Sequence, residues 1–146
     1  MSRLVTVMVG KKKREFALSE VEDWTDVALH IRELLVPGSI VTLSGPLGAG
    51  KTTFVQVLAT ELGVKERPQS PTFALMRSYR LPKALNSISR LVHVDAYRID
   101  DERDLMPLDL ENELSDGKSV LVLEWPEKVN GWLQRQTNVI ALTIML

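Results

Sequence analysis

The segment SGPLGAGKTT, residues 44–53, constrains this chain more than any other stretch. Three glycines, a lysine and two threonines follow directly on the apolar run SIVTL (39–43). A buried strand that runs into glycines and then a cation has to turn tightly and present its backbone rather than its side chains. Gly45, Gly50, Lys51 and Thr52 fit the spacing G-x-x-x-x-G-K-[ST] of a phosphate-binding loop. Glycines let the chain pass close to phosphate oxygens in dihedrals closed to other residues. The inward amides form a nest for an anion, and the following helix opens with free N–H groups and the positive end of its dipole. The expected cradle is Gly45, Pro46, Leu47, Gly48, Ala49, Gly50, Lys51, Thr52 and Thr53. Lys51 is expected to reach the β- and γ-phosphates of a nucleotide, and Thr52 to hold Mg²⁺ through its hydroxyl.

The remainder of the chain reads as an α/β protein built around that loop. RLVTVMV (3–9) is β-branched and apolar, GKKKR reads as a hairpin turn and EFAL as the return strand, a strand-turn-strand ahead of the loop. Ser19 followed by Glu22 suggests a capping box, after which Val21, Trp24, Val27, Ala28, Ile31, Leu34 and Leu35 recur at helical spacing. A second helix carries Phe54, Val55, Val57, Leu58 and Leu62 and ends at Gly63. QSPTFALMRSYRL (69–81) reads as a loop feeding a strand, and further strands are expected at 90–97, 118–125 and the C-terminal NVIALTIML, with PKALNSIS as a polar connection and a helix interrupted at Pro107. Strands alternating with helices argue for a three-layer sandwich with a mainly parallel central sheet. At 146 residues the chain fits one domain, 1–146. It has no cysteine, which excludes disulfides and thiolate metal sites, and no apolar run long enough for a signal peptide or membrane helix, so a cytoplasmic location is expected. A net charge of −1 gives no whole-molecule attraction to nucleic acid.

A phosphate loop needs acids for its cation. Mg²⁺ takes oxygen ligands, commonly one or two carboxylates. Asp95 ends the strand LVHVD and Glu124 ends VLVLE, where the C-terminal ends of parallel strands face a nucleotide. One would hold Mg²⁺ and the other orient the attacking water, in either order. Thr72, in SPTF (70–73), has the type and place of a switch-loop threonine. Arg77, Arg80 and Arg98 are candidate arginine fingers. Trp125 would either stack beside the nucleotide or fill the core. Trp24, Trp132 and His93 read as packing residues, His30 as solvent-facing on a helix, and KKKR (11–14) as a solvated turn.

The motifs SGPLGAGKTTF, SPTF, HVDAYR and VLEWPE, in this order, resemble the TsaE (YjeE) family, the small P-loop ATPase required for threonylcarbamoyladenosine modification of tRNA. The resemblance runs from about Val27 to Lys128. It implies a P-loop α/β fold and slow ATP hydrolysis tied to a complex with TsaD and TsaB. In that complex TsaD transfers threonylcarbamoyl to the adenosine next to the anticodon, and TsaE resets the machinery between turnovers. The chain would thus meet tRNA only through its partners. Carried over by motif, Lys51 and Thr52 bind phosphate and Mg²⁺, Thr72 takes the switch-like position, and Asp95 and Glu124 are the acids. Trp125 lies beside the nucleotide. The sequence departs from the pattern at Pro46, where the family often has an acid, and in its leading strand-turn-strand. An arginine-bearing strand often found at the family's C-terminal end does not precede Leu146.

Two other enzyme classes open with such a loop. A small kinase of a nucleoside or metabolite would need an acceptor pocket and a basic lid, for which only PKALNSISR offers itself. A GTPase would need the guanine-reading N-K-x-D, which KVNG (128–131) does not supply. A third reading is a binding partner whose nucleotide only holds it in shape.

Overall fold

The computed structural model describes residues 3–68 and 76–146. Seven strands form one sheet in the order β2-β1-β7-β3-β6-β5-β4. They are β1 (Arg3–Val9), β2 (Lys12–Leu18), β3 (Ile40–Ser44), β4 (Met76–Leu85), β5 (Ile88–Asp95), β6 (Ser119–Glu124) and β7 (Val139–Met145). The centre, β7-β3-β6-β5, is parallel. Both margins are antiparallel: β2 and β1 beside β7, and β4 beside β5. Parallel strands are covered on both faces, and their sequences show it. Every residue of β6 is buried, as are the first four of β3.

The helices α1 (Trp24–Leu34) and α2 (Lys51–Glu61) cover one face. Trp24, Val27, Ala28 and Ile31 of α1 and Phe54, Val55, Leu58 and Ala59 of α2 bury against Val5, Val41, Leu43, Val120 and Val122. The Trp24 and Phe54 rings meet at 5.4 Å between centroids, fixing α1 against α2. The other face is covered by shorter pieces: a 3-10 segment Glu102–Leu108, α3 (Leu110–Leu114), a 3-10 turn Pro126–Val129 and α4 (Asn130–Gln134). Ile99, Leu105, Leu110, Val129 and Trp132 pack there on Ile40, Val92, Val94, Leu121 and Leu123. The expected three layers are present. No helix among the described residues is long and apolar enough to cross a membrane.

Several local expectations need correction. The first hairpin turns at Gly10, whose φ is +59°, and most of KKKR belongs to β2 rather than to the turn. The capping box at the start of α1 uses Glu20 and Asp23, not Ser19 and Glu22, because a 3-10 turn (Val21–Asp23) precedes the helix. Val21 is consequently 64% exposed instead of facing the core. The PKALNSIS connection is an antiparallel hairpin, with Asn86 and Ser87 both at positive φ (50° and 68°) as a two-residue type I′ turn demands. Pro82 is tolerated because β4 is an edge strand, and the register shifts between Arg80 and Leu85 around it. The expected helix at 101–114 is a 3-10 segment containing Pro107, broken at Asp109 (φ +49°) before the short α3.

Candidate functional site

The glycine loop lies at the C-terminal end of β3, flanked in the sheet by β6 and β7. Two of its glycines are closely packed. A Cβ on Gly45 would stand 3.1 Å from the Ile144 Cβ, and one on Gly50 would stand 3.2 Å from the Trp24 ring. Gly50 is also left-handed (φ +108°) where it caps α2. Pro46, Leu47 and Gly48 form the exposed crest, closed by Ala49 N–H donating to the Pro46 carbonyl at 3.2 Å. Ala49 is buried, and its carbonyl accepts from Arg3 at 3.0 Å, so β1 braces the back of the loop. The amides of Lys51, Thr52 and Thr53 open α2 and, as the first of an eleven-residue helix, have no intrahelical acceptors.

Lys51 turns back over the loop. Its ammonium donates to the Gly45 carbonyl at 2.5 Å and sits 3.6 Å from the centroid of the Trp125 ring. The residue is only 6% exposed. Burial pulls its pKa below the ordinary lysine value, and the carboxylates of Glu124, Glu127 and Asp95 pull the other way. That opposition locates negative potential where a cation is held.

The two acids are side by side. In the parallel register Leu43 pairs with Glu124 and Glu124 with Asp95. Strands are spaced about 4.8 Å apart, so Glu124 is one strand from the loop and Asp95 two. The pairs Leu91–Val120, His93–Val122 and Asp95–Glu124 share a sheet face, the one covered by α1 and α2. Glu124 is 3% exposed and its Oε2 meets His93 Nε2 at 2.6 Å. Asp95 is half-buried and accepts the Tyr97 N–H at 3.0 Å. Trp125 follows Glu124 with φ +59°, a conformation rare for a bulky residue, and stacks on Tyr97 at 5.0 Å.

The residues fit a phosphate and a hard cation. A glycine loop, a helix N-terminus, an ammonium, the Thr52 hydroxyl and two carboxylates make a donor set of the kind Mg²⁺–phosphate uses. Thr52 is half-buried in the first turn of α2. Thr53 lines a cavity of 360 Å³ between α2 and residues 64–68, and a second cavity of 200 Å³ lies beside Trp24 and Arg3.

Other sequence candidates separate cleanly. Thr72 lies outside the described residues. Arg77 is exposed on β4 opposite His93, hence on the site's face of the sheet. Arg80 pairs with Arg90 on the other face, toward the opposite end of β5. Arg98 is exposed beyond the end of β5. Trp24 and Trp132 are core residues, Trp132 with its indole N–H on Glu111 at 2.6 Å. His30 does not face open solvent: it is half-buried on Phe16 and Arg14, and burial lowers its pKa. Three contributors carried no site signal in the sequence. Arg3 and Glu127 are ordinary surface-type charges, and His93 was read as packing. The segment that a kinase would need as a lid is the tight β4–β5 hairpin.

A three-layer sheet with a parallel centre and a glycine loop between its central strand and a helix defines a P-loop NTPase-like protein. The model of the family described as "Threonylcarbamoyl adenosine biosynthesis protein TsaE" matches residues 18–145, and the chain belongs to that family. Relatives named tRNA threonylcarbamoyladenosine biosynthesis protein TsaE include that of Streptomyces coelicolor, 45% identical over 103 residues, covering 70% of this chain and 66% of its own. That of Mycobacterium tuberculosis is 40% identical, covering 75% and 67%. That of Aquifex aeolicus is 37% identical, covering 79% and 78%. The chain thus spans about two thirds of the length of the first two. Among solved structures, Bacillus subtilis YdiB superposes with a TM-score of 0.62 at 26% identity, over 98% of this chain and 78% of that one.

Proposed function

We propose that this chain binds ATP with Mg²⁺ and hydrolyses it slowly, as the ATPase subunit of a tRNA threonylcarbamoyladenosine-forming assembly with TsaD and TsaB. The observation that carries the reading is the loop itself: a glycine loop between β3 and α2, with Lys51 folded back onto its Gly45 carbonyl beside two adjacent acids. In this reading the amides of 50–53 and the Lys51 ammonium hold the phosphates and neutralise charge that grows on the γ-phosphoryl group. Thr52 and Glu124, the acid beside the loop, hold Mg²⁺. The ion supplies charge neutralisation across the phosphates. Asp95, one strand further out, is placed to orient the attacking water, and Trp125 flanks the nucleotide.

Thr72 belongs to the same proposal as a switch: with ATP bound it holds the connection between α2 and β4 as part of the face that docks on the partners. tRNA is then reached only through the assembly, in the cytoplasm. Capture of TsaD and TsaB by this chain, with and without ATP, tests the reading. ATP-dependent retention is expected, and Thr72→Ala is expected to weaken retention more than ATP affinity. Retention that is absent or indifferent to ATP contradicts the partner assignment, and collapse of ATP binding in Thr72→Ala contradicts the switch.

A further inference from the structure

The most heavily buried polar contact on the site's face is one that the chemistry above does not use. His93 is fully buried in the middle of β5, and its Nε2 lies 2.6 Å from Glu124 Oε2 across the parallel β5–β6 pair. Its other nitrogen, Nδ1, is buried with no partner among the described residues. A carboxylate oxygen accepts, so the hydrogen of this contact sits on Nε2, which donates to Glu124.

The consequence falls on Glu124. A buried carboxylate needs a hydrogen-bond partner, and most proteins supply arginine, lysine or several amides. Here His93 is the hydrogen-bond partner, and it ties down one oxygen. Oε1 makes no hydrogen bond among the described residues. The register sets the lever: His93 pairs with Val122, two residues before Glu124 on the same face, so the imidazole reaches along the sheet and fixes the carboxylate at the strand end beside the loop. We propose that His93 is a positioning residue for Glu124: its Nε2–H holds Oε2 and presents Oε1 to the cation that accompanies the nucleotide phosphates. Donors of this kind orient ligands and typically govern 10–100-fold in metal affinity. The proposal rests on the Mg²⁺–ATP reading and adds to it a determinant of how strongly magnesium tightens nucleotide binding.

Two measurements test it. The first is calorimetric ADP binding with and without Mg²⁺. In His93→Leu the magnesium-dependent gain in affinity is expected to fall about 10- to 100-fold, with magnesium-free ADP affinity unchanged. His93→Gln, whose Nε2 can still donate to Glu124, is expected to keep most of the gain. A residue that merely fills space would leave the gain intact in both variants, which would overturn the proposal, as would equal losses with and without Mg²⁺. The second needs no variant and holds if His93→Leu fails to fold. The chain has two histidines, so the imidazole nitrogen-15 shifts of His93 are assignable in the wild-type protein. A hydrogen on Nε2 is expected in the magnesium-free protein; a ring whose Nε2 carries no hydrogen overturns the pairing. If wild-type protein gains no ADP affinity from Mg²⁺, the function proposed above fails, while the nitrogen shifts still judge the pair.

Discussion

Lys51 is held against its own solvation. It is nearly buried, its pKa is lowered chiefly by that burial, and three carboxylates only partly compensate. A lysine whose folded pKa lies below its unfolded value costs stability at neutral pH, a cost relieved as pH rises through the folded pKa toward 10.5. Stability and the proposed phosphate contact therefore pull apart at this side chain. Lys51→Met, which keeps the stem and removes the charge, is expected to leave the melting temperature of nucleotide-free protein unchanged or raised. The same variant is expected to lose about 10- to 100-fold in ATP affinity, the worth of a charged hydrogen bond to phosphate at about 1.5–3 kcal/mol. Melting curves and calorimetry on one protein sample read both. A fall in melting temperature with ATP affinity preserved would reverse the assignment of Lys51 from ligand binding to structure.

At the scale of single elements, the β4–β5 hairpin and the 3-10 segment at 102–108 carry separable predictions. Ser87 has φ +68° in the two-residue turn, where glycine is at ease and serine is not. Ser87→Gly is expected to raise stability by about 0.5 kcal/mol, read from the denaturation midpoint; destabilisation would mean that the turn is not type I′. Asp101 caps the 3-10 segment by accepting from the Arg103 backbone and guanidinium, which lowers its pKa to about 2 from 3.8. A folded pKa below the unfolded one contributes stability above pH 3.8 that is lost as pH falls through about 2. The stability difference between wild type and Asp101→Ala is expected to shrink over that window. A difference independent of pH would show that the carboxylate charge is not what caps the segment.

These elements also show where sequence was informative. Strands β3, β6 and β7 and the helix α2 were legible because apolar runs and the glycine spacing are local signals. The loop, Asp95 and Glu124 could be named because strand ends are readable from composition alone. The β4–β5 turn was missed because Asn-Ser lacks a glycine and Pro82 argued against a strand; only the edge position of β4 makes both acceptable. The capping box slipped by one residue because a 3-10 turn intervened. His93 was assigned to packing because its partner lies 31 residues away and only the parallel register brings them together.

For the whole molecule, the sheet order is what makes a site. β3, β6 and β5 are neighbours though separated in sequence, so a loop, a glutamate and an aspartate from three distant segments end side by side on the face that α2 covers. The margins brace this arrangement: β1 supplies Arg3 to the back of the loop, and α1 supplies Trp24 beneath Gly50. The chain belongs to the TsaE family, and nucleotide binding at the loop is the central claim of the proposed function. The most direct measurement is a titration of nitrogen-15-labelled protein with ATP and Mg²⁺, followed by amide shifts. Saturation at one equivalent is expected, with the largest changes at Gly45, Gly48 and Gly50 through Thr53, then at Glu124 and Trp125. Saturating ATP that leaves those amides in place, or moves a different surface instead, would contradict the account.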